Sequence, residues 1–175
     1  MSKEPEVKKE YWDNRKLKSE TYYENEKKVG LETIWYESGV KKYEIHYKNG
    51  LPEGLKTGWY KSGEKEHEIH YKNGLTEGLQ ISWYSSGEKK YETCYKNGEK
   101  EGLGILWFKS GRKKYEAHYK VGEVEGLVTF WYMSGGNKYE AHYKNGIENG
   151  FRKEWDEDGK LTFQGKFVEG VEEIK

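Results

Sequence analysis

Four histidines, His46, His70, His118 and His142, fall on a 24-residue beat, and Cys94 fills the slot between His70 and His118. A glutamate lies two residues before each of the five: Glu44, Glu68, Glu92, Glu116 and Glu140. Imidazole, thiolate and carboxylate are the ligands of a transition metal, and a Glu-x-His pair is the usual material of general acid–base catalysis. Spacing argues against both. If each 24-residue period is two strands, equivalent residues stand about 9–10 Å apart, whereas zinc draws its ligands to about 2.0–2.3 Å from one ion. A catalytic pair needs one copy, and this pair occurs four times. No metal and no cofactor is therefore expected. The serines Ser38, Ser62, Ser86, Ser110 and Ser134 each precede a glycine, without the Gly-x-Ser-x-Gly elbow of a nucleophile. Phosphate-binding glycine loops, His-Glu-x-x-His and Cys-x-x-Cys are also missing. The expectation is a protein that binds and is not an enzyme.

The elements carrying these residues follow from the same beat. Trp12, Trp35, Trp59, Trp83, Trp107, Trp131 and Trp155 are separated by 23 residues once and by 24 thereafter. Glycines keep three further columns, at Gly39, Gly50 and Gly54 and their equivalents in later periods. Three glycines per period leave no window for a stable helix. Asn-Gly, at Asn49-Gly50, Asn73-Gly74, Asn97-Gly98 and Asn145-Gly146, is the strongest short hairpin signal, because both residues tolerate positive φ. Ser-Gly closes the other end. Each period reads as two strands of about six residues, and successive periods pair as a meander. The fold class is all-β: an elongated single-layer antiparallel sheet of tandem β-hairpin repeats. Residues 1–7 read as a flexible lead-in, and 8–175 as one array of seven repeats. The terminal repeats are degenerate: Asp13-Asn14-Arg15-Lys16 replaces the Ser-Gly turn, and Phe163 and Phe167 replace tyrosines.

Composition fits such a thin sheet. Lysine plus arginine equal aspartate plus glutamate at 31 each, and aromatics reach 16%, with 16 tyrosines. Ring faces must supply the burial that few aliphatic residues provide. A neutral net charge disfavours nucleic acid, which needs surplus cations to displace counterions. No stretch approaches the ~18 apolar residues of a membrane span, so membrane insertion is not expected. The absence of an apolar leader at Met1–Glu10 and the single cysteine fit the cytoplasm.

Side chains alternate across a strand. The simplest pairing places Leu55, Thr57 and Trp59 on one face with His67, Ile69 and Tyr71, leaving Tyr60, Glu68 and His70 on the other. On that pairing Trp35, Trp59, Trp83, Trp107 and Trp131 form one aromatic pavement with Tyr43, Tyr91, Tyr115 and Tyr139. These nine are the candidate partner-binding residues. Packing explains the same columns, since cross-strand aromatic pairs contribute about 0.2–1 kcal/mol each.

The recurring unit Tyr-Lys-Asn-Gly-x-x-Glu-Gly-Leu-x-x-x-Trp-Tyr-x-Ser-Gly resembles the MORN repeat, over about residues 8–170. It is most similar to the bacterial variant in YwqK-type antitoxins of toxin–antitoxin systems. The resemblance implies a single-layer sheet and contact with another protein. For the antitoxin branch it implies neutralisation of a cognate toxin by direct binding; the alternative is a scaffold or cell-surface interaction repeat with no toxin partner. Leu55 and Leu79 stand where the more familiar repeat often has a second glycine.

Overall fold

A computed structural model describes residues 4–174 of the chain. Those residues form strands and turns and no helix. The chain divides into two compact units, Met1–Gly87 and Glu88–Lys175. The first unit holds β1 (Glu6–Tyr11), β2 (Leu17–Glu24), β3 (Lys27–Trp35), β4 (Lys41–Lys48), β5 (Leu51–Trp59), β6 (Lys65–Lys72), β7 (Leu75–Thr76) and β8 (Gly78–Trp83). The second holds β9 (Lys89–Lys96), β10 (Glu99–Trp107), β11 (Lys113–Lys120), β12 (Glu123–Trp131), β13 (Asn137–Lys144), β14 (Ile147–Trp155), β15 (Leu161–Val168) and β16 (Val171–Glu172). Within each unit, chain neighbours pair antiparallel in sequence order, except that β7 and β8 both pair with β6. Of the expected lead-in, Met1, Ser2 and Lys3 lie outside the described residues, and Glu6 and Val7 already belong to β1, opposite Tyr23 and Tyr22.

Most strands run eight or nine residues and not six, because the third glycine column lies inside strands except at Gly78, where β8 begins. Gly54, Gly102 and Gly126 take φ of 81°, 80° and 83° inside continuous strands, where the pairing register shifts. They are β-bulges, which need a residue free of the Cβ penalty at positive φ. The true turns are Asn-Gly, with Asn73 at φ 51° and Gly74 at 84°, both positive as a type I′ turn requires.

Consecutive repeats are stapled at both ends of the strands. The turn amide of Gly74 donates to the carbonyl of Pro52 at 2.9 Å, and Gly146 to Val124 at 3.0 Å. Beside it, the Glu53 carboxylate accepts from the Asn73 amide at 2.7 Å, and Glu125 does the same for Asn145 at 2.9 Å. At the opposite end the hydroxyls of Tyr36, Tyr60 and Tyr132 donate to the carbonyls of Trp59, Trp83 and Trp155. Each repeat thus satisfies backbone groups of the next, as expected of a nearest-neighbour array.

Candidate functional site

Register decides which side chains share a face, because directly paired residues point the same way. Leu55 pairs with His70 and Thr57 with Glu68, whereas Lys56 pairs with Ile69 and Gly58 with His67. The later repeat agrees: Leu127 faces His142, Thr129 faces Glu140, Val128 faces Ala141 and Phe130 faces Tyr139. The aromatic pavement expected from the sequence is therefore split. Trp59 lies on the side of Leu55, Thr57, Glu68 and His70, and the lysine that caps its ring, Lys41 at 5.6 Å, also pairs with Glu44 at 2.6 Å. Lys113 does the same for Trp131 and Glu116. Tyr43, Tyr91, Tyr115 and Tyr139 occupy the other side. The cause is a bulge: Gly58 pairs with His67 but Trp59 with Lys65, so one residue drops out of register beside the Ser-Gly turn. A one-residue slip exchanges the faces of every side chain beyond it.

The tyrosine face is packed. Ala117 and Ala141 are 0% exposed although no second layer of described residues covers them. Their lids are the flanking rings. Tyr115 and Tyr119 meet hydroxyl to hydroxyl at 2.9 Å, and Tyr139 and Tyr143 at 3.0 Å, each pair from positions i and i+4 of one strand around the central alanine. Burial, then the partner phenol, pushes the Tyr115 and Tyr139 hydroxyls well above the ordinary tyrosine range. Phe130 extends the layer, at 4.7 Å from Tyr115 and 5.7 Å from Tyr139. Charges here are paired and roofed. Glu32, 3% exposed, accepts from Thr21 at 3.1 Å and Lys28 at 2.5 Å. The Arg152 guanidinium lies 5.2–5.4 Å from the rings of Tyr139, Phe163 and Phe167 and pairs with Glu154. Neither residue stood out in the sequence, since each occurs once in a column filled elsewhere by Lys56, Gln80, Gly104 and Val128.

The opposite face is open. Leu55, Leu79, Leu103, Leu127 and Phe151 are exposed large apolar residues, the last two at 44% and 57%. Across each unit they alternate with His46 and His70, or with His118 and His142. Within each unit glutamates stand beside them, of which Glu44 and Glu68 in the first and Glu92 and Glu116 in the second are each paired with the lysine three residues earlier. In the second unit Leu127, Glu140, His142, Phe151, Lys153 and Gln164 line a depression of about 340 Å³. Exposed apolar area framed by polar groups is the physical mark of an interaction surface. Among the described residues no group of three or more His, Cys, Asp and Glu side chains is placed to hold a metal ion.

Residues 28–49, 52–73 and 76–97 match the family described as MORN repeat variant. Three consecutive repeats of the chain carry that match. No curated protein matches the chain. MORN repeats are generally protein- or membrane-interaction repeats. The matched segments begin at Lys28, Pro52 and Thr76 and end at Asn49, Asn73 and Asn97, so each runs from just after one hairpin turn, Asn25-Glu26 for the first and Asn-Gly for the other two, to the asparagine of the next. Each spans the bulge, the tryptophan, the Ser-Gly turn and the tyrosine strand. The described residues contain no helix long and apolar enough to cross a membrane.

Proposed function

We propose that this chain is a non-catalytic protein-binding repeat protein whose partner lies on the leucine–histidine face, and that its role is that of an antitoxin or immunity-type protein neutralising a cognate toxin by direct binding. The observation that carries the binding half is the contrast between the two faces. One covers its alanines completely under tyrosine rings, and the other leaves a leucine or phenylalanine exposed in every repeat from Leu55 to Phe151. Of the candidate residues, Trp35, Trp59, Trp83, Trp107 and Trp131 then border the partner, while Tyr43, Tyr91, Tyr115 and Tyr139 hold the sheet together from behind. The antitoxin half is supported by the resemblance of the repeat unit to the bacterial antitoxin variant, and the working compartment is taken as the cytoplasm.

Co-expression with the product of the neighbouring gene tests the role. Rescue of growth and co-purification are expected, with rescue lost in Leu103→Asp/Leu127→Asp and retained in His67→Tyr. Failure to bind or rescue sinks the antitoxin role and leaves a scaffold repeat; binding that survives the double leucine change sinks the face.

A further inference from the structure

The exposed row on the second unit has a spacing and an alternation that select among partners. Leu103, Leu127 and Phe151 sit on β10, β12 and β14, each two strands from the next, so they recur about every 9.6 Å across the sheet. His118 and His142 lie between them, opposite Leu103 and Leu127 in register, so that apolar groups and hydrogen-bonding imidazoles alternate along one line.

Three backbone forms compete for such a line. An extended strand repeats its side chains on one face about every 6.8 Å and falls out of step at once. An α-helix offers an apolar residue every seventh position, about 10.5 Å apart, but its backbone is already hydrogen-bonded and has no use for the imidazoles. A polyproline II segment repeats every third residue, about 9.3 Å apart, and its backbone carbonyls are all unpaired. It matches both the period and the alternation. Charge narrows the choice of residues. Glu140 holds the position at which Glu44, Glu68, Glu92 and Glu116 are neutralised by a lysine three residues earlier, yet Asn137 stands there instead and donates to it at 2.8 Å. Lys153 faces Glu140 in register without forming an ion pair with it. Glu140 lines the depression beside Leu127 and Phe151 and is placed to meet a cation.

We propose that the second unit binds a polyproline II segment of its partner, laid across β10 to β14, with an apolar side chain at every third position seated against Leu103, Leu127 and Phe151 and a basic residue beside Glu140. The inference rests on the leucine–histidine face being the binding face. It assigns the partner's chemistry: a proline-rich segment with apolar and basic residues in a triplet pattern.

The test is a fluorescence anisotropy titration of the full chain with a labelled peptide of four Leu-Pro-Pro triplets, one proline replaced by arginine. A scrambled peptide and a helical peptide with leucine every seventh residue serve as controls. The triplet peptide is expected to bind, the scrambled one not. Leu127→Asp and the milder Leu127→Ser should each weaken binding about tenfold or more, as for a central interface residue, without lowering the thermal midpoint. Glu140→Gln should weaken the arginine peptide and leave its arginine-free version unchanged. No binding of the triplet peptide, or binding indifferent to Leu127→Ser, overturns the proposal. Binding of the helical peptide alone, lost in Leu127→Ser, overturns the polyproline assignment while leaving the binding face in place.

Discussion

Val121 is the residue whose replacement tests the turn chemistry most sharply. It occupies the asparagine slot of a Tyr-Lys-Asn-Gly turn and adopts φ 51°, within a few degrees of Asn49, Asn73, Asn97 and Asn145. A left-handed conformation costs an ordinary L-residue about 1–2 kcal/mol, and β-branching makes it worse. Asparagine tolerates the same conformation. Val121 is 62% exposed, so removing its isopropyl group forfeits little burial. Its amide donates to Glu101 at 3.1 Å, a bond any residue at this position keeps. Val121→Asn should therefore stabilise the chain by about 1 kcal/mol, raising the thermal midpoint by about 2–4 °C for a chain of this length. Differential scanning calorimetry reads the shift, and Asn145→Val should move the midpoint down by a similar amount. A Val121→Asn protein no more stable than the parent, together with a harmless Asn145→Val, would refute the assignment of strain to this turn.

Three further outcomes follow from the packing. Ala117→Leu forces a branched side chain beneath the Tyr115–Tyr119 bridge and should cost about 1–3 kcal/mol by urea denaturation, whereas His118→Leu on the open side should stay within about 0.5 kcal/mol. Glu53→Ala removes the acceptor for the Asn73 amide and should cost about 0.5–1.5 kcal/mol, with hydrogen exchange accelerated at Asn73 but not at Asn145, whose acceptor is Glu125. His67 lies against Gly58, where burial and then Lys56 lower its pKa. The unfolded chain then takes up the proton before the folded one does. The stabilisation is complete above the unfolded value of about 6.5 and is lost as pH falls from there through the lower folded value. His67→Tyr should flatten that slope in thermal midpoints measured across acidic pH.

How much of this was legible in the sequence depends on what each feature answers to. The hairpins were, because Asn-Gly and the 24-residue beat report local backbone demands that a residue type answers by itself. The faces were not. Whether Trp59 joins Tyr71 or His70 turns on a bulge between Gly58 and Trp59, and parity across a hairpin is fixed by pairing, which composition does not record. The Glu-Gly column was visible, but its glycine makes a bulge and its glutamate accepts from a turn one repeat later, at a separation of 20 residues. Glu32 and Arg152 read as ordinary surface charges until the rings of Tyr43 and Phe163 are seen over their column. Alternation alone puts Leu55 on one face with Trp59 and Tyr71, and only its register with His70 places it on the open side.

The central claim, that the leucine–histidine face is the one that binds, is tested most directly by methyl NMR of the full chain with labelled leucine, isoleucine and valine during titration with a bound partner. The leucine methyls of Leu103 and Leu127 are expected to shift, with Ile45, Ile69 and Val128 on the tyrosine face left in place. Shifts confined to Ile45, Ile69 and Val128 would contradict it.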